Sequence, residues 1–329
     1  MEDSKLIIFN SLEEIEHAEP VAVALGNFDG VHLGHQKLIS DCVKYAKQNK
    51  MKSAVFTFLN HPRNLIKDRP DVLNITYNEE KAKIIESLGV DILIDIEFTE
   101  EIMKMDPIEF VDRLLLDKLD MKAAFCGFNY RFGHKAAGNP DILRNIGVDR
   151  NFTVNEMEPF KIGDDIVSST LIRTLIASGQ VERCRTYMGR NYEIDGEVVV
   201  GNKLGRTIGF PTSNLLIDEH MVTPPNGVYV TYCVYNGIRY QSVTNVGVKP
   251  TIGIYNKNVE THIFDFDKEL YGKNIRVEFL KKTRDEVKFD CVDDLKEQIV
   301  RDCREARVFH RELAAAEEKS KKAGLPLSK

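Results

Sequence analysis

No stretch of this 329-residue chain approaches the roughly 20 consecutive apolar residues that a membrane-crossing helix needs. A helical membrane span is therefore excluded. Paired cysteines are missing too. Cys42, Cys126, Cys184, Cys233, Cys291 and Cys303 are scattered along the chain without a C-x-x-C pair, so the dense disulfide framework of small secreted domains is not expected. There is no surplus of positive charge: 45 Lys and Arg stand against 51 Asp and Glu, a formal net charge of −6. This argues against a broad footprint for nucleic acid or anionic lipid, and any anionic substrate must be met by local groups. The opening MEDSKLIIFN lacks both the basic region and the length of a signal peptide. Together these absences lead us to expect a reduced, soluble, cytoplasmic protein.

The remaining composition is that of an ordinary globular protein, with 43% hydrophobic and 29% charged residues. A chain of 329 residues exceeds the length at which one hydrophobic core stops growing, so two domains are expected. From residue 20 to about 180, short apolar runs at 21–25, 53–58, 91–96, 122–127 and 152–157 alternate with amphipathic segments. That spacing is the pattern of βαβ units, and the continuous apolar character suggests strands of a parallel sheet buried on both faces. Asn78, Asp106 and Asn139 are placed to start helices, and Gly89 and Gly147 to end them.

After about Met188 the texture changes to β-rich runs separated by Gly and Asn turns. Asn236-Gly237 between the apolar runs 232–235 and 238–243 reads as a type I′ hairpin, so this half is expected to be a small antiparallel barrel or sandwich. Leu295, Ile299, Ala306, Phe309 and Leu313 give a helical stripe to pack against it, and the polar stretch beyond is expected to fray. The domain expectation is 1–185 and 186–313, joined through residues 178–187, with a tail at 314–329.

The first apolar run leads directly into Gly26-Asn27-Phe28-Asp29-Gly30-Val31-His32-Leu33-Gly34-His35, followed by an amphipathic helix. A glycine-rich turn between strand and helix lets backbone N–H groups and the helix dipole approach phosphate. The run is neither G-x-G-x-x-G nor a Walker P-loop. His32 and His35, three residues apart at a helix start, can present two imidazoles to one ligand. Such donors stabilise charge developing on phosphorus during an in-line displacement.

In the second half, Gly201-Asn202-Lys203-Leu204-Gly205-Arg206-Thr207-Ile208-Gly209-Phe210-Pro211-Thr212-Ser213-Asn214 places three glycines in nine residues. By composition it is either a loop wrapping a ligand or a long turn. Thr212 and Asn214 face one side of an extended backbone and are either hard oxygen ligands or turn residues. Glu260 by itself reads as an exposed strand carboxylate.

These motifs carry a family resemblance. The first resembles the G-x-F-D-G-x-H-x-G-H signature of the adenylyltransferase half of prokaryotic bifunctional FAD synthetases. The similarity continues at Thr57-Phe58-Leu59-Asn60-His61-Pro62-Arg63, Gly127-Phe128-Asn129-Tyr130-Arg131 and Ser168-Ser169-Thr170-Leu171-Ile172-Arg173. Asn60 stands where that family commonly has Pro. The second motif resembles the G-F-P-T-[AS]-N signature of riboflavin kinases.

The resemblance implies a Rossmann-like nucleotidylyltransferase domain followed by a β-barrel kinase domain. The barrel would convert riboflavin and ATP to FMN, and the first domain would convert FMN and ATP to FAD. It also implies ATP contacts at Gly26, Phe28, Asp29, Gly30, Ser168, Ser169, Thr170, Gly201, Lys203 and Gly205, with His32, His35 and Arg173 acting on the phosphates. Thr212 and Asn214 would hold Mg²⁺, Glu260 would be the kinase base, and Asn129 and Arg284 would contact flavin. No nucleic-acid or membrane partner is implied, and the expected state is a monomer or weak homo-oligomer.

Overall fold

A computed structural model describes residues 5–15, 19–65, 71–201, 204–251 and 254–322. The chain divides into two compact units, Met1–Ser169 and Thr170–Lys329.

The first unit is built on six parallel strands: β1 (Ile7–Phe9), β2 (Val21–Leu25), β3 (Lys52–Phe58), β4 (Ile92–Ile96), β5 (Met121–Gly127) and β6 (Thr153–Met157). Their order is β1-β4-β3-β2-β5-β6. The five strands expected from the sequence are present within one residue at each end. Alternate residues feed two cores. Val21, Val23, Leu25, Phe56, Ile92 and Ile94 face one side. Ala22, Ala24, Val55, Leu93 and Phe125 face the other, against helix α1 (Leu33–Gln48). Successive connections run outward from β2 through β3 to β4, and in the opposite direction from β5 to β6. The order therefore reverses between β2 and β5, and the crevice at their carboxyl ends is where an open α/β sheet binds its ligand.

Three helix starts follow the sequence reading with one adjustment. After the short helix α3 (Glu100–Lys104), Asp106 caps α4 (Pro107–Phe110) through the N–H groups of Ile108 and Glu109 at 2.8 and 2.9 Å. Asn139 caps α5 (Pro140–Arg150) through Ile142 N–H at 2.9 Å. Asn78 is instead the first residue of α2 (Asn78–Ser87), and its side chain donates to Leu59 O at 3.1 Å. Gly89, with φ +79°, ends α2 as expected. Gly147 does not end α5. It lies inside the helix, where a Cβ would come within 2.7 Å of Phe152 O, and the helix stops at left-handed Asn151.

A two-stranded hairpin of β7 (Lys161–Ile162) and β8 (Asp165–Ile166) follows β6, then α6 (Ser169–Ala177) and α7 (Val181–Met188) precede strand β9 (Tyr192–Val199), with the short helix α8 (Leu204–Thr207) after it. The stretch expected as a plain connection is thus largely helical, and α7 packs on β9 and on β14 (Asn274–Arg284). A closed antiparallel barrel follows, in the order β10-β13-β12-β11-β14-β9, with β10 (Ser213–Leu215), β11 (Gly227–Tyr235), β12 (Ile238–Thr251) and β13 (Ile254–Ile263). Asn236 and Gly237, at φ +49° and +76°, make the expected hairpin. Inside the barrel Thr231, Ser242, Thr244 and Thr261 are fully buried and satisfy one another through hydroxyl contacts of 2.8 to 2.9 Å.

Helix α9 (Val292–Lys322) covers Val228, Val230, Val243 and Phe264 with Ala306, Phe309 and Leu313. It runs nine residues past Leu313, where the apolar stripe ends, because Ala, Glu and Lys keep high helix propensity without packing. Among the described residues no helix is long and apolar enough to cross a membrane.

Candidate active sites

The turn after β2 is held in an unusual conformation. Phe28 and Val31 sit at φ +45° and +31°, a region that non-glycine residues enter only under constraint. The constraint is visible in the carbonyls. Asn27 O accepts from Thr57 Oγ1 at 2.9 Å, Asp29 O from Ser169 Oγ at 2.9 Å, and Val31 O from Gln36 Nε2 at 2.8 Å. Strand β3, the Ser-Ser-Thr motif and α1 thus each fasten one point of the turn. The Asp29 carboxylate is buried and accepts N–H bonds from Ile75 at 2.9 Å and Thr76 at 3.3 Å.

His32 caps α1: its Nδ1 accepts the N–H of His35 at 3.2 Å, which puts the ring proton of the neutral form on Nε2. The two imidazoles stack with centroids 3.6 Å apart and planes 17° off parallel. Gly34 makes this possible, since a Cβ there would sit 3.2 Å from the His32 ring. Phe28 closes the other side, its ring edge-on to His35 at 5.2 Å and 3.0 Å from where a Gly26 Cβ would be. Asn129 is exposed in the turn following β5, on the opposite lip of the crevice.

Asn60, where the resembling family has Pro, is a brace: its side chain donates to Phe98 O at 3.1 Å and accepts Phe98 N–H at 2.7 Å. Nearby, Lys81 and Asp95 form a buried ion pair at 3.0 Å, and Lys81 also donates to Phe58 O at 2.9 Å. Burial pushes the Asp95 carboxyl up, and Lys81 offsets part of this. Ser168 and Ser169 are half-buried at the start of α6, followed along the helix by exposed Thr170 and half-buried Arg173.

On the barrel, Asn214 of β10 lies directly opposite Glu260 of β13. Asn258, two residues before Glu260 on the same face, donates to Glu260 Oε1 at 2.6 Å and approaches Asn214 Oδ1 at 3.4 Å. Gly201 is required here, since a Cβ would lie 2.5 Å from the Asn214 amide nitrogen. Gly205 is equally close to the loop, its Cβ position 2.3 Å from Phe210 O. Lys203 lies outside the described residues. A cavity of about 200 Å³ opens between Gly201, Thr212, Asn214, Thr261 and Tyr271. A second groove of about 530 Å³ runs between Phe210, Gln241 and the α9 residues Val300, Cys303, Arg304 and Arg307.

Arg284 closes β14. Its guanidinium makes a two-pronged pair with buried Asp302 of α9 at 2.9 and 2.7 Å.

Two family models match the chain, FAD synthetase over residues 14–171 and riboflavin kinase over residues 188–310. The bifunctional riboflavin kinase/FMN adenylyltransferase of Bacillus subtilis is 37% identical over 297 residues, 88% of this chain and 92% of its own. The proteins of the same name from Haemophilus influenzae and Escherichia coli are 34% and 32% identical over 88% of this chain.

The chain belongs to the bifunctional riboflavin kinase/FMN adenylyltransferase family.

A solved structure described as a macrolide-efflux protein from Streptococcus pneumoniae matches with a TM-score of 0.84 and 30% identity, over 92% of this chain and 98% of that one.

Within this family member the structure gathers the expected residues into separate groups. His32, His35, Gly26, Phe28, Asp29 and Gly30 form one with Ser169, and Gly201, Gly205, Thr212, Asn214 and Glu260 form the other. Sequence reasoning missed two residues. Asn258 could have been found from its i, i+2 spacing to Glu260, since alternate strand residues share a face. His262, two residues further on that face, donates from Nδ1 to the Pro211 carbonyl at 2.8 Å, and no sequence signal joins positions 51 apart.

Proposed function

We propose that this chain makes FMN on the rim of its barrel and FAD at the carboxyl ends of β2 and β5, with residues 186–313 as the kinase half and 1–185 as the adenylyltransferase half. Both activities are those of the family to which it belongs. The observation that carries the kinase assignment is the cross-strand pair of Asn214 and Glu260, bridged by Asn258. Riboflavin phosphorylation needs an oxygen nucleophile held in line with a phosphorus and a group to take its proton. Glu260 accepts the proton of the ribityl 5′-hydroxyl as that oxygen bonds to the γ-phosphorus and ADP leaves.

Mg²⁺ fits this site as a partner of phosphate. Among the described residues no group of three or more His, Cys, Asp or Glu could hold a metal alone. The donors beside the cavity are the Thr212 hydroxyl and the Asn214 amide oxygen, neutral hard oxygens suited to an ion that keeps phosphate and water as its other ligands. Bound there with ATP, Mg²⁺ supplies neutralisation of phosphate charge. Gly201 and Gly205 form the loop beside the nucleotide, and Lys203, outside the described residues, is the third ATP contact of that motif. Phe210, Val300 and Cys303 give the larger groove an apolar lining suited to an isoalloxazine ring, and Arg284 shapes it by fastening α9.

In the first half an FMN phosphate oxygen attacks the α-phosphorus of ATP, forming FAD as the bond to pyrophosphate breaks. His32 and His35 donate hydrogen bonds to the phosphates through this displacement, and Gly26, Phe28 and Gly30 shape the backbone around them. Ser168, Ser169, Thr170 and Arg173 contribute hydroxyls and a cation for the departing pyrophosphate, while Asn129 contacts the flavin. Asp29 contributes as an anchor of this turn, because its carboxylate already accepts two backbone N–H groups. Riboflavin, FMN and ATP are the small-molecule partners, and we place the enzyme in the cytoplasm as a monomer or weak homo-oligomer. Incubation of the purified chain with riboflavin and MgATP should give FMN and then FAD, separated by chromatography. No FMN from folded protein would overturn the kinase assignment.

A further inference from the structure

Pro211 precedes Thr212 and, as a proline, has only one backbone hydrogen-bonding group, its carbonyl. That carbonyl is taken by His262 Nδ1 at 2.8 Å. Strand β10 is only three residues long and its ladder begins at Ser213, opposite Thr261. Pro211 and Thr212 therefore lie before the first residue that the sheet itself holds. The fastenings on this approach are the Phe210 N–H, donated to Gly205 O at 2.7 Å, and the Pro211 carbonyl on His262. Gly209, at φ +91°, precedes both and leaves the backbone free to turn there.

The imidazole is itself held by two rings: Phe210 and Phe264 each meet it edge-on at 5.6 Å. Along β13 the residues Asn258, Glu260 and His262 project from one face at successive alternate positions. One strand face thus carries the Asn258 that orients Glu260, Glu260 itself, and the imidazole that fastens the loop bearing Thr212.

We infer that His262 is a positioning residue of the kinase half: by gripping the Pro211 carbonyl it fixes the Thr212 and Asn214 oxygens where the metal–phosphate group of the nucleotide is received. The inference rests on the proposed assignment of Thr212 and Asn214 to that group. His262 lines neither of the two cavities described above, so its loss weakens metal–nucleotide capture and leaves the turnover of a filled site close to normal.

The test compares full-length wild type, His262→Phe, His262→Asn and Thr212→Ala. Phe keeps the ring contacts and removes the donor; Asn places an amide N–H near the position of Nδ1. Mn²⁺ binding in the presence of ADP is read by electron paramagnetic resonance. The Mg²⁺ dependence of FMN formation is measured alongside, and FAD formation from supplied FMN serves as an internal control. His262→Phe should weaken Mn²⁺–ADP binding and raise the half-saturating Mg²⁺ by about tenfold, the loss of one hydrogen bond. The rate at saturating Mg²⁺ should stay within about threefold, FAD formation should be unchanged, and His262→Asn should recover most of the affinity.

Unchanged Mn²⁺–ADP binding in His262→Phe, while Thr212→Ala weakens it, overturns the clamp alone. A fall in the saturated rate with unaltered metal dependence overturns it too. If Thr212→Ala itself leaves metal binding unchanged, the assignment of the metal to this loop fails and takes the clamp with it.

Discussion

Asn258 donates its amide to Glu260 Oε1 at 2.6 Å, from two residues earlier on the same face of β13. A carboxylate on a strand has several rotamers, and this bond holds one of them, the orientation that the proposed role of Glu260 as base uses. Asn258→Ala should therefore lower kcat for FMN formation by about tenfold with a smaller change in KM, since misplacement of a base acts on the reacting geometry. Steady-state kinetics with riboflavin varied at saturating MgATP measure the split. An unchanged kcat would show that Glu260 needs no such orientation.

The Lys81–Asp95 pair, each side chain 4% exposed, joins α2 to the end of β4. Removing one partner leaves the other as an uncompensated buried charge. Lys81→Met should cost about 3 kcal/mol of stability, and Lys81→Met with Asp95→Asn should recover part of it. Chemical denaturation followed by circular dichroism decides the point. A single variant as stable as wild type would mean that the pair contributes nothing net.

His310 is fully buried on α9, against Tyr232, Phe264 and Phe309, with its Nε2 3.4 Å from Ser242 O. Burial, with a smaller push from Arg307, holds its pKa below the ordinary histidine value. The unfolded chain therefore takes up this proton more readily than the folded one, so stability contributed here is present at neutral pH and is lost as pH falls below about 6.5. His262, whose pKa burial also lowers, acts in the same direction. Between pH 7.5 and 5.5 the melting temperature should fall, and His310→Phe should flatten that fall. An equal fall in the variant would assign the pH dependence to other groups.

The sequence showed most of this fold because its signals were local. Continuous apolar runs marked β2 to β6, and Asn236-Gly237 marked the β11–β12 hairpin through the left-handed backbone that those residues tolerate. Strand β1 was missed because Ile7 and Ile8 lie on the sheet edge at 53% and 46% exposure, with too few residues to show a period. The end of α9 was misjudged because helix propensity, not an apolar face, carries it to Lys322.

At the candidate sites, the residues proposed to carry chemistry were legible through their motifs, while their supports were not. Asp29 holding Ile75 and Thr76, Arg284 holding Asp302, and His262 holding Pro211 are contacts between distant positions. The family resemblance implied ligand contacts for Asp29 and Arg284, and the hydrogen bonds that each also makes within the protein are what no motif marks.

The account depends on two chemistries in two separate places, and a crossed pair of variants tests this most directly. Glu260→Gln and the double variant His32→Asn/His35→Asn are each assayed for FMN formation from riboflavin and for FAD formation from supplied FMN. Glu260→Gln should lose at least about 100-fold in FMN formation while making FAD at the wild-type rate, and the double histidine variant should show the reverse. Loss of both activities in either folded variant, or of neither, would contradict the account.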